Sequence, residues 1–239
     1  MLRGQEPIDT DTCEGAIAPD SLKARMASLV IDPAAGWPRV SREIRGAVRS
    51  LFSAGDSYGK RFAVFPLAPV SACIALGYFL TSRPTIRLFQ FHRDVHSWRW
   101  PTRQPERCPA LTVDFGRRKR TPEHVAFLFS LSSQIDPKRV AAMLPPGLQV
   151  VSIGVPHPTT GWLRNPRQID AIAESARASF EEALTRWPGT KMWRIFYAGP
   201  APGAVVVGQQ LNPTMSPDVQ LYEFNHPNHV PSLVLSPRL

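Results

Sequence analysis

Residues 62–77 read FAVFPLAPVSACIALG and residues 193–208 read WRIFYAGPAPGAVVVG, and the fold is decided by laying one on the other. Pro69 falls on Pro200 and Gly77 on Gly208, both at an offset of 131 positions. The next strands also match. RLFQF at 87–91 lies on QLYEF at 220–224, offset 133, with a two-residue insertion in the turn between. An amphipathic helix precedes each copy. Val40, Ile44, Ala47, Val48 and Leu51 recur at helical spacing in one; Ile169, Ile172, Ala173, Ala176, Phe180, Ala183 and Leu184 do so in the other. One shared proline or glycine would carry no weight. A strand, a proline, a helix of small residues, a glycine and an aromatic strand in the same order make an internal repeat.

Working outward, residues 62–67 and 85–91 read as strands of the first copy around a helix over 71–80, with Gly55 and Gly59 stopping the helix before it and 98–101 a further short edge strand. Between the copies, 110–115, 124–131 and 148–155 read as strands. Asp136-Pro137 opens a helix through Leu144, with Asp136 as N-cap, and Pro145-Pro146-Gly147 stops it. In the second copy, 191–197 and 219–224 read as strands around a helix over 202–211, with a last short strand at 232–235. This alternation predicts an α/β fold: two fused Rossmann-like pseudo-repeats with mainly parallel central strands. Residues 39–239 form that domain, in halves of roughly 39–120 and 121–239. Residues 1–38, with a short candidate helix at 21–29, are an N-terminal arm or capping segment.

Composition bounds the function. The chain has 239 residues and ordinary globular hydrophobicity, and its 25 prolines gather in the connections, where they stiffen turns. No apolar run is long enough to span a bilayer and no signal sequence opens the chain, so a cytoplasmic protein without a membrane partner is expected. Cys13, Cys73 and Cys108 are odd in number and lack metal-ligand or CxxC spacing, which suits reduced thiols. The net charge of +9 fits an anionic partner, or simply an arginine-rich surface. Only Arg117-Arg118-Lys119-Arg120 forms a block, read as a solvated turn.

Candidate site residues follow from backbone geometry. In an open α/β sheet, ligands bind beyond the carboxyl ends of the strands, where helices begin and free N–H groups favour an anion. Ala68, Pro69 and Ser71 occupy that turn in the first copy; Tyr197, Gly199, Pro200 and Gly203 occupy it in the second. Ser132, Ser133 and Gln134 end another core strand and carry donors for phosphate or a base edge, with Lys138 in the helix that follows. His92 and Arg93 follow the second strand of the first copy. His157, Trp162 and Arg164 lie in the long 156–165 loop, where an aromatic and a cation suit base stacking and phosphate contact. Each has a plain alternative: turn chemistry, a solvated charge, or a tryptophan anchoring its loop. Trp98 and Trp100 read as edge packing. No GxGxxG, P-loop, GxSxG or HExxH motif is present, so no catalytic residue, cofactor or metal is expected.

The strand–Pro–helix–Gly unit running into VQLYEF at 219–224 and VPSLVL at 230–235 resembles the C-terminal signature of the SAVED domain. RLFQF at 87–91 followed by WRWP at 98–101 resembles its N-terminal half. The likeness covers residues 40 to the end and rests on patterns, not on invariant catalytic residues. It implies two fused CARF-like subunits that sense a cyclic oligonucleotide, most often a cyclic tri- or tetra-adenylate, in anti-phage CBASS or type III CRISPR signalling. It also implies self-association on ligand binding and an effector of nuclease, TIR or protease type. This sequence departs from the family pattern in having no recognisable effector, and a start at Met1 favours a free-standing sensor with a separate one. Two other readings stay open: a ring nuclease that cleaves its own cyclic oligoadenylate, and a general basic nucleic-acid binder.

Overall fold

The computed structural model describes residues 8–17, 27–53, 61–82, 84–102, 111–117 and 121–236. Its centre is β4 (His124–Ser130), an unbroken apolar strand because both of its faces are covered. Successive side chains point to opposite faces. Ala126 and Leu128 meet Val140 of α4 (Pro137–Met143), while Phe127 and Phe129 meet the core under α5 (Pro166–Arg186). Phe180 of α5 stacks on Trp193, ring centroids 5.2 Å apart, and meets Phe127 edge-on at 4.9 Å. On either side of β4 lie β5 (Gln149–Gly154) and β6 (Met192–Ala198), both parallel to it, and β7 (Asp218–Asn225) continues parallel beyond β6. The antiparallel strands β3 (Thr112–Asp114) and β8 (Asn228–Leu235) close the two edges, giving the order β3-β5-β4-β6-β7-β8.

The first half is smaller. A helix α2 (Trp37–Ser53) precedes β1 (Arg61–Val64), which leads into α3 (Val70–Leu80) and returns in β2 (Thr85–Leu88), parallel to β1. Phe62 pairs with Ile86 there, and Trp193 pairs with Val219 in the second half, so the sequence offsets of 131 and 133 hold in the strand register. Among the described residues β1 pairs with β2 alone, and the first half has no counterpart of β4 and β5. Buried residues of α2 and α3 belong to the same apolar cluster as β4, β6 and α5, so the halves share one core.

That core is joined where α3 crosses its repeat partner α6 (Ala201–Gln210). A Cβ on Gly77 would stand 1.9 Å from the Val205 carbonyl oxygen, and one on Gly208 would stand 2.0 Å from that of Ile74. Val205 is the repeat counterpart of Ile74, so each helix meets the other in the same way and a pseudo-twofold axis runs between them. Gln209 Nε2 donates to the Thr81 carbonyl at 2.8 Å, tying the carboxyl ends of the two helices together. Both helices therefore run in one direction, and both start on one face of the molecule.

Several local expectations need correction. The first-half strands end at Val64 and Leu88, not at 67 and 91, because Pro66 lacks a ladder donor and the chain folds so that Phe65 stacks on Phe89, centroids 4.4 Å apart. Residues 98–101 form no strand. His92 N donates to the Ser97 carbonyl at 2.8 Å to close a tight turn, and Trp98 is buried against Phe65 and Phe91. The last strand runs from Asn228, longer than 232–235. α5 begins at Pro166, where Asn165 and Gln168 make a reciprocal capping box. Most of the helix expected at 21–29 lies outside the described residues, as do Gly55 and Gly59, and residues 27–30 are not helical. An unexpected helix, α1 (Thr10–Ile17), packs Cys13 and Ala16 against Phe89 and Trp98, and Arg99 Nε donates to the Gly15 carbonyl at 3.0 Å.

Candidate functional site

The shared direction of α3 and α6 brings two helix starts to one face, with Pro69 and Pro200 as their N-cap residues, neither of which supplies a side-chain hydrogen bond of its own. Neighbouring turns converge there. Leu131 N and Ser132 N both donate to the Ala198 carbonyl, at 2.9 and 2.7 Å, so the turn after β4 lies against the end of β6. Ser130 Oγ accepts from Ile135 N at 3.1 Å and fixes the far side of that turn. Ser132 is half-buried, whereas Ser133, Gln134 and Lys138 are exposed.

The loop over 156–165 is held from below by Gln168. Its Oε1 accepts from Arg164 N and Asn165 N at 2.8 and 2.9 Å, and its Nε2 donates to the Trp162 carbonyl at 2.9 Å. Arg164 then reaches across to the first half and pairs with Asp94 at 2.8 Å. This joins the loop to the turn that carries His92 and Arg93. His92 is only 4% exposed, its ring 5.5 Å edge-on from Trp100, while Arg93 and His157 face solvent. Trp162 is buried, as an anchoring tryptophan would be. Among the described residues, buried polar atoms without a hydrogen-bond partner include Gln90 Oε1, His92 Nε2 and Trp162 Nε1. Such atoms cost roughly 1–3 kcal/mol each when left unpaired.

The two helix starts differ chemically. Ser71 is fully buried, and its N–H donates to Glu223 Oε1 of β7 at 2.5 Å while its hydroxyl shares a hydrogen bond with Ser232 Oγ at 2.6 Å. Burial pushes the Glu223 carboxyl up from its ordinary value. At the α6 start, Tyr197 Oη donates to the Pro200 carbonyl at 2.9 Å, and a Cβ on Gly203 would stand 2.2 Å from the Tyr197 Oη. The side of Gly199 and Gly203 that a Cβ would occupy is therefore taken by the Tyr197 ring. Ala68, Pro69, Gly199 and Pro200 are half-buried. Sequence reading missed Glu223, Gln90, Asp94 and Gln168. The aligned strands RLFQF and QLYEF did carry one signal, a carboxylate in one copy where the other has an amide.

Nucleophiles and metal ligands are scarce. Burial pushes Cys73 up to about 12 and Cys13 up to about 11, far from the thiolate range at neutral pH; Cys108 lies outside the described residues. Among the described residues no group of three His, Cys, Asp or Glu side chains is placed to hold a metal, and no helix is long and apolar enough to cross a membrane. A cleft of about 420 Å³ opens between the outer edge of β2 and the start of α5, with Arg87, Trp100, Asp170 and Gln209 in its walls.

One pH effect follows from the histidines. His92 is held below its usual value of 6.5, first by burial and then by the Arg164 charge, and His124 and His229 are lowered chiefly by burial. The unfolded chain takes up these protons near pH 6.5 and the folded chain does so only lower, so stability present above 6.5 is lost as the pH falls through that window. Urea denaturation at pH 7 and pH 5.5 should register this loss, and His92→Gln should make it smaller. A slope that is unchanged in the variant would exclude His92 as a contributor.

A family model for the SMODS-associated and fused to various effectors sensor domain, SAVED, matches residues 40–235. No curated protein sequence matches the chain. Similar solved structures include the Acinetobacter baumannii Cap4 SAVED/CARF-domain containing receptor with the cyclic trinucleotide 2′3′3′-cAAA, at TM-score 0.64 and 13% identity over 84% of this chain and 43% of that one. The same receptor with 3′3′3′-cAAA gives 0.62 and 14% over 84% and 44%. A Moraxella osloensis Cap4 receptor gives 0.62 and 13% over 90% and 48%. The chain thus spans less than half the length of these receptors, and at such identity the likeness is one of fold.

Proposed function

This chain belongs to the SAVED family of sensor domains, and from that membership we propose that it is a receptor for a cyclic oligonucleotide, a cyclic tri- or tetra-adenylate. The single observation that carries the reading is the α3–α6 crossing, which opens two helix starts onto one face, where backbone N–H groups and dipole ends favour phosphates. In this reading Ser132, Ser133, Gln134 and Lys138 rim one side of the ligand, and Arg93, His157 and Arg164 rim the other. The arm over residues 1–38 caps the first half, and the two halves divide near residue 120. The role is binding without chemistry: the hydroxyls of Ser71 and Ser232 are spent on each other, and the thiols of Cys13 and Cys73 are buried. The bound state passes its signal on by self-association or through an effector in anti-phage defence.

Isothermal titration of the purified chain against 2′3′3′-cAAA, 3′3′3′-cAAA, cyclic tetra-adenylate and a cyclic dinucleotide tests this. Binding to at least one, at a fixed stoichiometry, is the expected result. A ligand at a hundred times its Kd should also stabilise the fold by about 2.7 kcal/mol. Absence of heat with every member, together with affinity for arbitrary RNA that collapses between 50 and 200 mM salt, would replace the reading with that of a general nucleic-acid binder.

A further inference from the structure

The pseudo-twofold axis allows each half to serve as a control for the other, and the sharpest difference between them is at the helix starts. Glu223 on β7 has Gln90, just after β2, as its repeat counterpart, and Ser71 in α3 has Pro202 in α6. In one half a carboxylate accepts the Ser71 N–H. In the other the acceptor is a neutral amide, and proline offers no N–H to receive, so Gln90 Oε1 is buried with no partner among the described residues. α6 folds and packs without such a cap. The cap on α3 is therefore not a requirement of the architecture.

It is also an expensive one. Glu223 is largely withdrawn from water, and among the described residues no lysine, arginine or histidine pairs with it. Its hydrogen-bond donor is Ser71 N. A buried carboxylate without a counter-ion costs several kcal/mol before its hydrogen bonds are counted. What compensates it is the amino end of α3, the same partial positive charge that attracts phosphate. The next residues, Phe224 and Asn225, are exposed at the tip of the β7–β8 hairpin, so the side chain sits one step from solvent.

We propose that Glu223 is a built-in competitor for the ligand, its carboxylate occupying the α3 start that a ligand phosphate takes in the bound state. The inference rests on the reading of this face as the ligand site. Binding then includes release of Glu223 from Ser71 and of Ser232 from the Ser71 hydroxyl, and the hairpin tip is freed from the first half. The carboxylate lowers affinity at rest, so the sensor responds only when its ligand is abundant.

The test uses the whole chain, Glu223→Gln and Glu223→Ala. Titration with 3′3′3′-cAAA should show both variants binding about tenfold more tightly than the parent, because the competing charge is gone. Equal or weaker binding by the variants would overturn the proposal, since a carboxylate that recognises the ligand, or merely supports the fold, gives that result. A second arm does not depend on the ligand's identity. Inorganic phosphate at 10–50 mM should raise the melting temperature of Glu223→Ala and leave the parent unchanged; the same response in both overturns the proposal. If no cyclic oligonucleotide binds the parent or the variants, the functional reading fails and the phosphate arm alone decides whether Glu223 holds an anion's place. Should Glu223→Ala not fold, the isosteric Glu223→Gln carries both comparisons.

Discussion

Gly77→Ala is expected to lose about 3–5 kcal/mol of stability, and Gly208→Ala a similar amount. The new methyl group at 77 would lie 1.9 Å from the Val205 carbonyl oxygen and 2.9 Å from Gln209 N; at 208 it would lie 2.0 Å from the Ile74 oxygen and 2.9 Å from Tyr78 N. These are main-chain atoms of a packed helix, so no side chain can swing aside. The helices must move apart, and Ile74, Val205 and Val207 lose close packing along the join between the halves. For a domain of this size the melting temperature should fall by roughly 10–15 °C. Circular dichroism on heating measures it, and a fall under 2 °C for both variants would mean that α3 and α6 do not cross at these residues. The double variant should cost much less than the sum, because one separation relieves both clashes.

The second large effect is expected at Gln168, which is 1% exposed. Gln168→Leu fills the same space but strips the Arg164 and Asn165 N–H groups of an acceptor and the Trp162 carbonyl of a donor. Leaving two or three buried backbone groups unpaired should cost about 3 kcal/mol in total. The loop should also come free of its seat, taking Arg164 away from Asp94. Gln168→Glu keeps the acceptor but at neutral pH buries a charge and sets a carboxylate oxygen against the Trp162 carbonyl, so it should recover little of the loss until the carboxyl is protonated and can donate. Urea titration gives the energies, and hydrogen exchange of the Arg164 and Asn165 amides reads the loop. If those amides stay protected in Gln168→Leu, the clamp is not what orders the loop.

Much of the fold was legible because its signals are local. The apolar run at 124–131, the Asp136-Pro137 start and the helical spacing from Ile169 each state an element in a dozen residues. The repeat was legible for another reason: two copies of one geometry keep proline and glycine in the same places, and register follows. What could not be read depends on partners far along the chain. α1 has too short an apolar pattern to declare itself, and its burial comes from Phe89 and Trp98. Trp98 and Trp100 look like a strand by composition but pack as rings around a turn. The site divides the same way. Residues at strand ends could be chosen from topology, yet the bond from Ser71 to Glu223 spans 152 positions and leaves no trace in spacing. Nor does sequence say that Tyr197 lies beneath the glycines that follow it.

The helix crossing has one more implication. Residue 77 meets 205 while 208 meets 74, so each half offers the other the surface it receives in return. Two identical subunits around a dyad must meet in this manner; a single polypeptide has no such need. The arrangement is that of a homodimer whose subunits have been covalently joined. In a homodimer any substitution appears twice, and a residue useful on one side is imposed on the other. Joined halves are released from that rule, and Ser71 with Pro202, or Glu223 with Gln90, are sites where the release has been used.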